Sequence, residues 1–168
     1  QAKDQGAFLV ALDGEGKTPY YYALVDKKNQ QDKTVLTFVG ESPAARITKE
    51  FTVHHDTYTI DLVLTIEPKA EQTVRPRIFF PGLHVVEGTE VQNGVLMSGK
   101  SLEKSPVKDL LQAGVEQPTL FGLEDAYFAQ VLFKDAEQFS QRAYFKQTAT
   151  GYQAIVQGAP ITERSEEH

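Results

Sequence analysis

The chain has 168 residues, 17 Lys and Arg against 23 Asp and Glu, and a formal net charge of −6. It contains no cysteine, no tryptophan and a single methionine. These values exclude disulfide scaffolds, cysteine-based zinc sites and thiol catalysis, and they argue against a nucleic-acid surface, which draws on clustered Lys and Arg.

The length predicts one domain over 1–168, large enough to bury roughly 70% of its unfolded surface without a disulfide or metal. No apolar run approaches the ~18–20 residues of a spanning helix. The polar start, Gln1-Ala2-Lys3-Asp4-Gln5, is no signal peptide. The start reads as a cut within a longer protein, and the polar end, Glu163-Arg164-Ser165-Glu166-Glu167-His168, as a frayed boundary or a cut before more protein.

In chain order, residues 7–12 and 20–25 are β-rich and flank the turn composition Asp13-Gly14-Glu15-Gly16. In Tyr20-Tyr21-Tyr22 the middle ring must face away from its neighbours, so at least one ring is exposed or at an interface. A strand over 34–39 is closed by Gly40 and Ser42-Pro43. Residues 47–66 form one hairpin. In its first strand Phe51 and Val53 alternate with Lys49, Thr52 and His54, and His54-His55-Asp56-Thr57 makes the connection. The second strand has the clearest period of two. Tyr58, Ile60, Leu62, Leu64 and Ile66 share the buried face, and Pro68 ends the ladder.

Arg75-Pro76-Arg77 reads as an exposed edge strand, because proline and charge discourage edge pairing. Asn93-Gly94 predicts a hairpin turn, since both residues tolerate positive φ. Residues 105–111 fit a short helical turn, with Pro106 at its first position. Residues 127–133 are aromatic and β-branched and read as a buried strand. Strands over 141–146 and 151–156 follow, with the turn at Thr150-Gly151. Strands recurring every 8–12 residues predict a mainly β protein, an antiparallel sandwich or barrel with little helix.

Convergent chemistry is sparse. His54-His55-Asp56 invites a metal, but neighbouring strand side chains point to opposite faces, so the stretch reads as a solvated turn. His84 and the carboxylates Glu87, Glu90, Glu124 and Asp125 have no spacing that forms an acid–base pair. Lys17-Thr18 is not in phosphate-loop register, and no G-x-S-x-G elbow occurs. No catalytic residue, cofactor or metal is expected.

Three stretches resemble one family. Residues 34–66 contain V-L-T-F-V-G-E and then I-T-K-E-F-T-V-H-H-D-T-Y-T-I-D-L-V-L-T-I. This is similar to a strand, turn and hairpin in the large periplasmic domain of YidC-type membrane protein insertases. Phe80-Pro81-Gly82-Leu83 resembles that family's G-P-G-L element, with Phe80 in place of the first Gly. Gly122-Leu123-Glu124-Asp125-Ala126-Tyr127-Phe128 resembles its late G-[L/I]-x-D-x-Y-F signature.

The resemblance implies a β-supersandwich similar to galactose mutarotase, on the periplasmic side of the bacterial inner membrane. It places the membrane attachment in transmembrane segments outside this chain. It implies a non-catalytic role in membrane protein insertion or folding, through contacts with translocon subunits such as SecD–SecF or with nascent membrane proteins, and no nucleic-acid partner. Gly122, Asp125, Tyr127 and Phe128 carry over as a structural corner, with Tyr127 and Phe128 packed between sheets and Gly122 allowing the turn. Pro81, Gly82 and Leu83 carry over as structural residues. Two rivals use other residues. A mutarotase-like sugar site would need His84 with Glu87, Glu90 or Glu124. A peptide-binding module would need a long unpaired edge at residues 75–80, with Arg75 and Arg77 as contacts.

Overall fold

The computed structural model describes residues 8–13, 20–69, 72–81, 92–111, 114–125, 128–133, 139–149 and 151–162. Among them the regular structure is strand, apart from one 3₁₀ turn over Val107–Asp109. No helix among the described residues is long and apolar enough to cross a membrane. In chain order the strands are β1 (Leu9–Leu12), β2 (Tyr22–Asn29), β3 (Lys33–Glu41), β4 (Ala45–His54), β5 (Ile60–Pro68), β6 (Thr73–Val74), β7 (Pro76–Pro81) and β8 (Asn93–Ser98). They continue with β9 (Ser101–Pro106), β10 (Val115–Glu116), β11 (Leu120–Glu124), β12 (Ala129–Phe133), β13 (Ser140–Thr148), β14 (Gly151–Gly158) and β15 (Ile161–Thr162).

The chain divides into two compact units, one built from Gln1–Ala11 with Arg75–Ala159 and the other from Leu12–Val74 with Pro160–His168. The first unit is a sandwich of a five-stranded sheet, β1-β7-β14-β13-β10, and a four-stranded sheet, β12-β11-β8-β9. Every resolved pairing is antiparallel. The two sheets meet through Phe121 of β11, which stacks on Phe145 of β13 with ring centroids 4.4 Å apart. Phe121 is 1% exposed and Phe145 2%. The strands expected over 141–146 and 151–156 are present as β13 and β14. Ala143 and Phe145 point inward with Ala154, Val156, Ile78 and Phe80.

Asn93-Gly94 is not a hairpin turn. Both residues lie inside β8, where Gly94 pairs with Leu123 on one side and Ser105 on the other. The glycine serves packing, because a Cβ there would meet Leu110 Cδ1 and Phe145 Cζ at 2.7 Å each. The turn that joins β8 to β9 is Gly99-Lys100, and Gly99 takes a φ of 77°. Pro106 stands one place before the 3₁₀ turn, as its N-cap.

The second unit carries a four-stranded meander, β2-β3-β4-β5, and the small pair β15-β6. Its connections follow from local chemistry. Between β3 and β4, Ser42 Oγ accepts hydrogen bonds from the Ala44 and Ala45 amides, at 3.2 and 3.0 Å. Ser42 N–H in turn donates to the Ala45 carbonyl. This serine-capped turn accommodates Pro43, which has no amide to place.

Truncating the sandwich core removes both area and shape. Phe121→Ala is expected to lower stability by about 3–5 kcal/mol, read as a fall in the chemical denaturation midpoint at unchanged slope.

Candidate interaction surface

The meander of the second unit presents two chemically different faces. One carries Ala45, Ile47, Lys49, Phe51 and Val53 of β4. Beside them lie Gly40, Phe38 and Leu36 of β3, and Ile66, Leu64, Leu62 and Ile60 of β5. The other face carries Arg46, Thr48, Glu50, Thr52, Thr65, Glu67 and Asp61. On that solvated face Arg46 lies 3.7 Å from Glu41 and 3.9 Å from Glu67, and Lys69 lies 2.8 Å from Glu41. The Lys69 hydrogen bond holds the Glu41 carboxyl below its ordinary range. Such exposed pairs contribute little to stability.

Burial on the apolar face fades along the strands. Ala45, Ile47 and Ile66 are buried, Phe51, Leu64 and Leu62 are half-buried, and Ile60 is 45% exposed. Tyr58, expected on the buried face, is fully exposed at the hairpin end. The alternation fixes the face but not what covers it. Tyr21 is the outward ring of the tyrosine run, and Leu24 and Val25 of β2 are exposed as well.

Lys49 sits on this apolar face. The sequence reading grouped it with Thr52 and His54, but parity puts it with Phe51 and Val53. It is 7% exposed, and its ammonium lies 3.9 Å from the centroid of the Tyr22 ring. Burial brings the Lys49 amine down to about 8. Burial, followed by the influence of Tyr20, pushes the Tyr22 hydroxyl upward. The missed signal was a lysine at an odd position in the pattern Ile47-x-Lys49-x-Phe51-x-Val53.

His54 and His55 do not converge. His54 Nε2 lies 2.7 Å from Asp61 Oδ2, while His55 Nε2 lies 2.9 Å from Thr34 Oγ1. Among the described residues no three His, Asp or Glu form a metal-holding group. Glu124 is occupied by Lys104 and by Asn93 Nδ2, the latter at 3.4 Å. His84, Glu87 and Glu90 lie outside the described residues.

The signature region forms the β11–β12 hairpin. A Cβ on Gly122 would overlap the Gln130 carbonyl oxygen and lie 2.6 Å from Val131 Cα. Glycine there lets β12 approach across β11, so its role is in the ladder and not in the turn. Asp125 closes the turn twice. Its N–H donates to the Phe128 carbonyl at 2.8 Å, and its Oδ1 accepts from the Phe128 N–H at 2.7 Å. Phe128 does not pack between sheets. It is 67% exposed, because it stands at the hairpin end ahead of β12, a strand at the margin of its sheet. Tyr127, Gly82 and Leu83 lie outside the described residues, and Pro81 ends β7 opposite Gln153.

Arg75 and Arg77 do not mark a sheet edge. Arg75 is the link between β6 and β7, and β7 lies between β1 and β14. Pro76 is fully buried, and Arg77 pairs opposite Gln157 with its guanidinium 5.7 Å from the Phe79 ring centroid. The long unpaired edge needed for a peptide at residues 75–80 is therefore filled by two neighbouring strands.

A family model described as the YidC periplasmic domain matches residues 9–165. No curated protein matches the chain.

Gly122→Ala is expected to lower the melting temperature sharply, because backbone must move to admit the methyl group. Phe128→Ala is expected to stay within about 0.5 kcal/mol of the parent, as for other exposed sites. Denaturant titration of the two variants side by side checks both. Lys49 supplies a pH signature. Its folded pKa lies below its ordinary 10.5, so the unfolded chain binds more protons between about pH 8 and 10.5. The lysine's contribution to stability therefore rises with pH through that window. Tyr22 acts in the opposite sense above its ordinary value of 10.0. Melting curves from pH 7.5 to 9.5 should show a rising contribution that Lys49→Met removes.

Proposed function

Because the chain belongs to the YidC periplasmic domain family, we propose that it is a non-catalytic accessory domain of a bacterial inner-membrane insertase, assisting membrane protein insertion and folding through protein contacts. Its partners are translocon subunits or nascent membrane proteins. Membrane attachment is by transmembrane segments outside this chain. The family match over residues 9–165 carries the reading. The surface of the second unit supports it, since Leu24, Val25, Tyr58, Ile60 and Val63 present apolar side chains to solvent. These side chains lie at the two edges of the β2-β3-β4-β5 sheet and at its hairpin end, and they are available for protein contacts. The acidic balance fits a domain that meets proteins and not anionic lipid.

The test places a photo-cross-linking residue at Leu24 or Tyr58 of the domain within its insertase, in membrane vesicles engaged in inserting a membrane protein. Adducts with translocon subunits or with the inserting chain are expected, and they should fade when insertion stops. Irradiation that yields neither adduct overturns the proposed role.

A further inference from the structure

The two edges of the β2-β3-β4-β5 sheet are built differently. Edge strand β2 has a register break between Leu24 and Asp26, and it carries Asp26, Lys27 and Lys28. A bulge and charges of this kind discourage pairing. Edge strand β5 runs without a break from Ile60 to Pro68, has no Lys or Arg, and holds a proline only at its end. Among the described residues no strand pairs with its outer side, and the nearby β15 pairs with β6 instead.

The outward backbone groups of β5 can be assigned. Lys69 N–H donates to the Ala44 carbonyl at 2.8 Å. Antiparallel alternation then makes Arg46/Glu67, Thr48/Thr65, Glu50/Val63 and Thr52/Asp61 the pairs that exchange hydrogen bonds with β4. Ile60, Leu62, Leu64 and Ile66 therefore aim their N–H and C=O groups at the open edge. Pro68 falls in the same outward set, where its missing N–H costs no ladder bond.

We propose that a second copy of this chain pairs with β5, antiparallel about a two-fold axis at Val63, to join two meanders into one eight-stranded sheet. The sequence selects this register. With Val63 on the axis, Ile60 faces Ile66 and Leu62 faces Leu64, so the outward groups meet outward groups and the apolar face continues across the seam. On the other face Asp61 meets Thr65, and Val63, 58% exposed in the single chain, covers its own copy. Moving the axis to Leu64 sets Asp61 against Glu67, which is unfavourable for like charges. Moving it to Leu62 brings in Tyr58 and Thr59, which lie outside the strand. A slip by one residue sets outward groups against inward ones. The interface is a self-complementary, closed contact.

The absence of cysteine makes the seam directly testable. Val63 and its copy form a pair that exchanges no hydrogen bonds, with Cα atoms about 4.5 Å apart, within disulfide reach. Mild oxidation of Val63→Cys in the 168-residue chain should give a covalent dimer on a non-reducing gel. Thr65→Cys should not, since its copy lies roughly 13 Å away. In sedimentation the parent should dimerise with rising concentration. Val63→Lys and Leu64→Pro should stay monomeric with an unchanged circular dichroism spectrum, and Lys27→Pro in β2 should still dimerise. A parent that remains monomeric up to roughly millimolar concentration, equal cross-linking at positions 63 and 65, or a dimer indifferent to both β5 variants overturns the proposal. A monomeric parent whose β5 edge instead takes up an added peptide strand overturns it too. Because sedimentation needs no insertase partner, its outcome is separate from that of the accessory role.

Discussion

The β4–β5 ladder fixes most of what the second unit can do. Nine residue pairs, from Ala45 opposite Pro68 to Val53 opposite Ile60, run without a bulge. With a period of two, that single register decides which side chains face the apolar side, and it also decides which backbone groups bond inward and which bond outward. A slip of β5 by one residue would put Asp61, Val63 and Thr65 on the apolar side in place of Leu62 and Leu64. The hydrophobic pattern and the register are thus mutually enforcing, and the meander needs no disulfide to hold them.

Local rules succeeded where the chain's own neighbours set the outcome. The hairpin around His54 and His55 is local and is readable from the sequence; the short turn after residue 105 is readable too, although Pro106 stands one place before it and not at its first position, and Gly151, read as a turn residue, begins β14. Asn93-Gly94 failed because its glycine answers to Leu110 and Phe145, residues brought to it only by the fold. Arg75-Pro76-Arg77 failed for a related reason. Proline and charge do mark edges, but Pro76 lies fully buried at the start of β7, whose two neighbours come from distant parts of the chain. Phe128 carries the same lesson for aromatics. A ring placed at a hairpin end has no layer above it, whatever its composition suggests about a core. The apolar surface itself was half legible: alternation named the residues of β5, but its fading burial depends on how far other elements reach.

Glycine contributes twice by what it lacks. At Gly94 the missing side chain admits a phenylalanine from the facing sheet, and at Gly122 it admits the backbone of the adjacent strand. These are packing constraints in two directions, one across the sandwich and one within a sheet. Neither involves positive φ, unlike Gly99, which takes a φ of 77° at a two-residue turn. At these two positions a strand glycine marks close approach and not a bend.

Lys49 marks where the apolar face changes character. On its strand the inward residues before it, Ala45 and Ile47, are fully buried, and those after it, Phe51 and Val53, are only half-covered. A charge at that boundary costs desolvation, seen in its lowered pKa, but its long stem still packs with the apolar row and its head rests on the Tyr22 ring. An apolar side chain at this buried position would avoid that desolvation cost. The bulge in β2 and the charges beside it discourage pairing at that edge. The β5 edge, where Ile60 and Val63 are exposed, has no such guards, so selectivity there rests on strand register and not on hydrophobicity alone.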